Sequence, residues 1–159
     1  MKVEGYIIHL KRAKARLPQV EKLSACLPVT THVIDAVDAQ QLNATQKRTH
    51  QKNAHRPRYP FAMRQSEVAC FLSHRLVWQT LLDSDNDAAL IVEDDVDIDD
   101  TTFKPAYALA CEHLADGYVR FPKVLNELPL KIIASAEKTT LFHPAALALG
   151  MQLQLVSRA

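Results

Sequence analysis

Five apolar residues, Ala88-Ala89-Leu90-Ile91-Val92, run directly into Glu93-Asp94-Asp95-Val96-Asp97-Ile98-Asp99-Asp100. This junction constrains the fold more than any other feature. A short apolar run without alternation reads as a strand buried on both faces, as at the centre of a parallel sheet. Charge then begins at the strand's carboxyl end. Open α/β sheets bind their ligands at that end of the strands.

The preceding segments fit the same architecture. Residues 3–10 (VEGYIIHL) read as a first strand, and residues 17–27 as a helix with Pro18 in its first turn and Val20, Leu23 and Leu27 on one stripe. Residues 29–36 (VTTHVIDA) read as a second strand, completing a βαβ unit. Residues 66–82 (SEVACFLSHRLVWQTLL) predict a deeply packed helix, with Ser66 as N-cap and Glu67 at the positive end of the helix dipole. Helix is expected again around 104–115, and short strands at 118–121, 130–134, 139–143 and 151–157. The expected fold is α/β in one domain over residues 1–159, a mainly parallel sheet flanked by helices.

Composition removes several function classes. The net charge of +1 argues against wholesale nucleic-acid binding. The three glycines, Gly5, Gly117 and Gly150, form no glycine-rich phosphate loop. Cys26, Cys70 and Cys111 contain no CxxC pair, so they read as free thiols of a reducing cytosol rather than a structural zinc site. No apolar run is long enough to span a bilayer or serve as a signal peptide. The expected location is cytoplasmic, with at most peripheral contact at a membrane surface. Residues 39–65 carry Lys47, Arg48, Lys52, Arg56, Arg58 and Arg64 with no acid. This stretch reads as a solvated loop or as a basic loop facing a phosphorylated ligand.

Nine of the eighteen acids fall between Asp83 and Asp100. Two carboxylates about 4 Å apart repel by roughly 4 kcal/mol at an effective dielectric near 20. Crowding them at a buried strand end calls for a cation or a proton. Hard oxygen ligands suit Mg²⁺ or Mn²⁺, which would bridge a diphosphate and stabilise charge on a departing nucleoside diphosphate. On an extended segment the acid-x-acid spacing aims Glu93/Asp95, Asp95/Asp97 and Asp97/Asp99 in common directions. Glu93, Asp94 and Asp95 are the preferred metal ligands. Asp83, Asp85, Asp87 and Asp100 read as solvated surface. On the 66–82 helix, Glu67, Cys70 or Phe71, His74 and Trp78 share a face. His74 fits either a satisfied core histidine or a site residue, and Trp78 fits core packing better than a sugar platform.

Three stretches together resemble glycosyltransferase family 25, the lipooligosaccharide (LPS) galactosyltransferases. They are Ile8-His9-Leu10-Lys11-Arg12 with Arg16, then Ala36-Val37-Asp38-Ala39, and then Ser66-Glu67-Val68-Ala69-Cys70-Phe71-Leu72-Ser73-His74 with Trp78 followed by Ala89-Leu90-Ile91-Val92-Glu93-Asp94-Asp95-Val96. The similarity covers residues 5–100, with Ser66 where the family has Gly. It implies a GT-A-like (Rossmann-like) nucleotide-diphospho-sugar transferase fold, a divalent metal (Mn²⁺ or Mg²⁺), and transfer of a hexose from a UDP-sugar such as UDP-galactose. The implied acceptor is a lipooligosaccharide or related glycan, and the implied stereochemistry is inverting. By this resemblance Glu93, Asp94 and Asp95 serve metal and diphosphate, and Leu10, Arg12 and Asp38 lie near the uridine. Arg64 stands on the donor side, and Glu67 and His74 are the catalytic candidates.

The resemblance also implies an acceptor-side segment beyond Ala159, so the chain is expected to be C-terminally truncated. Two alternatives compete. One is a non-catalytic remnant that binds nucleotide sugar or a partner. The other is a haloacid dehalogenase-like phosphohydrolase using Asp97-Ile98-Asp99-Asp100-Thr101, which would need its first Asp directly after the strand, where Glu93-Asp94-Asp95 intervene.

Overall fold

A computed structural model describes residues 1–49, 63–115, 117–122, 127–136, 138–146 and 150–158. Lys52, Arg56 and Arg58 of the basic stretch lie outside them.

Strand β1 (Val3–His9) forms because a β-branched, aromatic segment can be buried on both sides. The chain leaves it through a 3-10 turn into α1 (Leu17–Cys26), whose Pro18 occupies the first helical turn and whose Val20 and Leu23 are buried. It returns as β2 (Thr31–Asp35), parallel to β1 with Gly5 opposite Thr31 and His9 opposite Asp35. Gly5 permits this close approach, since a Cβ there would lie 2.9 Å from Thr31 Cγ2. A short helix, α2 (Ala44–Lys47), is closed by a capping box between Asn43 and Gln46. The long helix α3 (Gln65–Leu82) then leads to β3 (Ala88–Glu93), parallel to β1. Helix α4 (Asp100–His113) follows, then β4 (Tyr118–Arg120), the pair β5 (Pro129–Ala136) and β6 (Thr139–Pro144), and β7 (Leu153–Ser157).

The main sheet has the order β2-β1-β3-β7-β4, and β5-β6 form a separate antiparallel pair. Strand β7 runs antiparallel to both β3 and β4, so four strands share one direction and one opposes them. The sheet is therefore mainly parallel, as the sequence predicts, with the one antiparallel strand β7 between β3 and β4. Ala88–Val92 are fully buried at its centre, as the uninterrupted apolar run requires.

Alternate residues of the central strands feed opposite cores. On one face Tyr6, Ile8, Ala89 and Ile91 meet Val77 and Leu81 of α3. On the other, Ile7, Leu90, Val92 and Leu155 meet Val20 and Leu23 of α1 and Phe103 and Ala110 of α4. Truncating a buried side chain such as Ile91 to Ala would cost about 2–5 kcal/mol.

Two helix starts differ from expectation. Arg64, not Ser66, occupies the N-cap of α3, and Glu67 at the third helical position accepts a hydrogen bond from the Arg64 backbone N–H at 2.6 Å. The reciprocal capping position of Glu67 sets the boundary two residues earlier than Ser66 would. Helix α4 starts at Asp100 rather than near 104, because Asp99 caps it by accepting from the Thr101 N–H at 3.0 Å. Among the described residues, no helix is long and apolar enough to cross a membrane.

Candidate active site at the strand ends

The parallel register brings the carboxyl ends of β1, β2 and β3 to one level: Ile8 faces Glu93, and His9 faces Asp35. Residues Leu10, Arg12, Asp38 and Glu93–Asp95 follow directly from these ends.

The three acids after β3 do not share an environment. The chain turns immediately, with the Val96 N–H donating to the Glu93 carbonyl at 3.2 Å. The alternation expected of an extended segment therefore stops at Glu93. Asp94 turns inward, where its side chain is 6% exposed. Its Oδ2 lies 2.7 Å from His9 Nδ1, and its Oδ1 accepts from the Arg16 guanidinium at 2.6 Å. Asp95 is 52% exposed, and its carboxylate lies 3.9 Å from the Arg16 guanidinium. The Asp94 carboxylate raises the Arg16 pKa above its ordinary value, through the hydrogen bond first.

Glu93 is held from α3. His74 Nε2 lies 2.9 Å from Glu93 Oε1, and the Cys70 thiol donates to the same oxygen at 3.4 Å. His74 is 1% exposed, and its Nδ1 accepts from the Gln154 amide nitrogen at 2.8 Å. With Nδ1 accepting, Nε2 carries the proton and donates to Glu93. The hydrogen bond from His74 is the main reason the Glu93 carboxyl titrates below its ordinary range. Desolvation, followed by the nearby Glu93 charge, pushes the Cys70 thiol up to about 12.

The neighbouring Ser73 performs the matching task for the second strand. Its hydroxyl accepts from the Val37 N–H at 2.9 Å and donates to the Ala69 carbonyl at 2.8 Å. The consecutive Ser-His pair thus ties α3 to the segment after β2 and to the end of β3. Beyond that segment, Arg12 Nε donates to Asp38 at 2.7 Å, and this contact lowers the Asp38 pKa. Asp38 also accepts from the Gln40 N–H at 2.9 Å.

The structure thus brings Glu93, Asp94, Asp95 and His74 together, and places Leu10 and the Arg12–Asp38 pair on the adjoining loops. Glu67 and Arg64 stand at the start of α3, engaged with each other through the capping contact. Repulsion among the acids, argued from sequence to require a metal, is relieved inside the protein for two of them: Arg16 and His9 bracket Asp94, and His74 supports Glu93. Trp78 packs with its ring edge-on to Phe71 at 6.0 Å and against the core beneath β1 and β3.

Sequence reasoning assigned no role to four contributors: His9, Arg16, Cys70 as a partner of Glu93, and Gln154. His9 and Arg16 stand within the quoted motif and Cys70 is one helical turn from His74, whereas Gln154 left no signal. The acids of the phosphohydrolase alternative serve the surface instead. Asp97 pairs with Lys22 at 2.6 Å, Asp99 caps α4, and Asp100 pairs with Lys104 at 3.0 Å.

Comparison with known proteins agrees with this geometry. The family model described as Glycosyltransferase family 25 (LPS biosynthesis protein) matches residues 2–127. Procollagen galactosyltransferase 2 of Homo sapiens is 32% identical over 97 residues, 58% of this chain and 16% of that protein. A glycosyltransferase 25 family member of Drosophila pseudoobscura pseudoobscura is 29% identical over 98 residues, 59% of this chain. The chain therefore spans about 16% of the length of these curated relatives. With a family match over well more than half of its residues, the chain belongs to glycosyltransferase family 25.

Proposed function

We propose that this chain carries the donor-binding part of a hexosyltransferase, which moves galactose from UDP-galactose to a hydroxyl of a lipooligosaccharide or related glycan. The observation that carries the reading is the Glu93–Asp95 turn. One acid there is locked inward by His9 and Arg16, while the other two keep, among the described residues, an oxygen without a hydrogen-bond partner at the end of the central strand. Strand-end placement suits a nucleoside diphosphate.

The residues present fit a divalent cation. Asp95 is half exposed, and among the described residues only Oε1 of Glu93 is engaged. Glu93 Oε2 and the Asp95 carboxylate would hold Mn²⁺ or Mg²⁺, with oxygens of the diphosphate and water completing the shell. The cation would supply charge neutralisation for the departing UDP. Asp94, with both oxygens taken, acts instead as a positioning residue that fixes the turn and aims Arg16. Arg16 then presents a half-exposed guanidinium toward the diphosphate side.

Arg12 and Asp38, with Leu10, would frame the uridine, and Arg64 would extend the basic donor side. His74 is too buried to meet an acceptor hydroxyl, so its role is to orient Glu93. Glu67 holds the start of α3. The reaction follows as an in-line, inverting displacement: the acceptor oxygen attacks the anomeric carbon as the bond to UDP breaks and the hydroxyl proton passes to a general base.

The test is UDP release from UDP-galactose with Mn²⁺ and a glycan acceptor, alongside thermal shifts with UDP. Wild-type protein should show metal-dependent turnover, and Asp95→Asn should lose at least tenfold. A UDP-dependent rise in melting temperature without turnover would restrict the chain to donor binding. No response to UDP with or without metal would remove the reading.

A further inference from the structure

We propose that Cys70, His74 and Glu93 form a sulfur-containing cation site that takes a zinc-class ion, separate in chemistry from the oxygen-only pair Glu93 Oε2 and Asp95. One ligand atom from each of the three residues lies within 4.8 Å of the other two. Cys70 and His74 are one helical turn apart on α3 and so project from the same side, toward the end of β3. Two hydrogen-bond donors, the Cys70 thiol at 3.4 Å and His74 Nε2 at 2.9 Å, converge on the single oxygen Glu93 Oε1. Such convergence marks a place where one cation can replace two protons.

Size and chemistry both agree. Tetrahedral zinc bonds of about 2.0–2.3 Å separate neighbouring ligand atoms by roughly 3.4–3.6 Å. The two contacts to Glu93 Oε1 need to open by only a few tenths of an ångström, while the Cys70 and His74 ligand atoms, within 4.8 Å of each other, need to close onto the same ion. Sulfur with imidazole and one carboxylate selects zinc over Mg²⁺ or Mn²⁺. Three protein ligands leave the fourth position for water, the arrangement of an open rather than a closed site. Cys70 is an exposed residue, so an ion can reach the thiol from solvent.

The surroundings can accommodate the change of partners. Binding requires the Cys70 thiol to release its proton to solvent as the S–Zn bond forms. It also requires His74 to present the Nε2 lone pair, so the ring proton moves by exchange to Nδ1. Gln154 contacts Nδ1 and is buried. Rotating its amide by half a turn replaces the N–H donor with the carbonyl acceptor that an Nδ1–H needs. The same side chain therefore supports His74 as a hydrogen-bond donor to Glu93 or as a metal ligand, the second role being usual for partners of ligating histidines. No electron transfer is involved.

The inference stands apart from the transferase reading, since it concerns ion binding in the absence of nucleotide. The test is titration of the chain with Zn²⁺ and with Co²⁺ as a spectroscopic substitute. The expected result is one tight ion per chain, and for cobalt a near-ultraviolet thiolate-to-metal charge-transfer band. Cys70→Ser and Cys70→Ala, each checked for native circular dichroism, should abolish the band and weaken Zn²⁺ binding at least tenfold. Cys26→Ser and Cys111→Ser should leave both unchanged. Asp95→Asn should keep Zn²⁺ affinity within about twofold while losing the Mn²⁺-dependent UDP response. A cobalt complex without a thiolate band, or a band that survives loss of Cys70, would overturn the proposal. Equal losses for all three cysteines would do the same.

Discussion

Two acidic stretches lie within a few residues of each other and have opposite fates. Glu93, Asp94 and Asp95 end the central strand, and two of them point into the protein, where histidines and an arginine meet them. Asp97, Asp99 and Asp100 lie beyond the turn and spend their charge on a surface lysine, a helix cap and an i,i+4 pair. Composition alone does not separate the two groups. What separates them is the strand end: carboxylates that begin where a buried strand stops must find partners from other elements, whereas those a turn later can use water. The difference teaches that the informative acids are those whose charge the fold had to answer.

The largest expected effect that tests this contrast is on stability. Asp94→Ala leaves the buried His9 and the half-exposed Arg16 without their shared partner. It should cost about 3 kcal/mol in urea unfolding with little change in slope. A loss no greater than that of a surface acid would erase the distinction between the two stretches. Next, His74→Ala removes a fully enclosed ring with two hydrogen bonds and should cost about 2–3 kcal/mol. Combined with Glu93→Gln in a double-mutant cycle, it should show a coupling of about 1 kcal/mol. Additive behaviour would mean that the His74–Glu93 contact contributes nothing beyond packing.

A smaller effect appears as pH dependence. Glu93 in the folded protein titrates below its ordinary value of 4.5, chiefly because His74 donates to it. The unfolded chain therefore binds that proton more readily. The resulting stabilisation is fully present above pH 4.5 and is lost as the pH falls through the lowered folded value. The difference in melting temperature between wild type and Glu93→Gln should shrink on acidification below pH 4.5. A constant difference would contradict the assignment. The smallest effects belong to the second stretch. Asp99→Ala should lower the melting temperature slightly by uncapping α4, and Asp97→Asn should not move it measurably.

Much of this was legible before any coordinates. The uninterrupted Ala88–Val92 run reads as a strand buried on both faces, and the Pro18 helix with its Val20/Leu23 stripe lies where periodicity puts it. Periodicity reports which residues are buried, not which strands are neighbours. Leu153–Ser157 is recognisable as a strand, yet its insertion between β3 and β4 in the opposite direction depends on tertiary pairing. The family motif drew attention to Glu93, Asp94, Asp95 and His74, but not to the way they divide. The turn at Glu93–Val96 breaks the strand alternation on which their directions were argued. Gln154 sits in an alternating MQLQLV segment where a polar residue reads as solvent-facing. It is buried because β7 lies inside the sheet, which places its amide against His74. Arg16 and His9 are 78 and 85 residues from Asp94, a separation at which sequence offers no partner.

The account rests most heavily on the Glu93–Asp95 turn as the place where a divalent cation and a nucleoside diphosphate bind together. The direct measurement is calorimetric titration of UDP into wild-type and Asp95→Asn protein, each with and without Mn²⁺. The expected result is UDP binding that requires Mn²⁺ in the wild type and is at least tenfold weaker in Asp95→Asn. Equal UDP affinity with and without the metal, or an Asp95→Asn protein that binds as tightly as wild type, would contradict it.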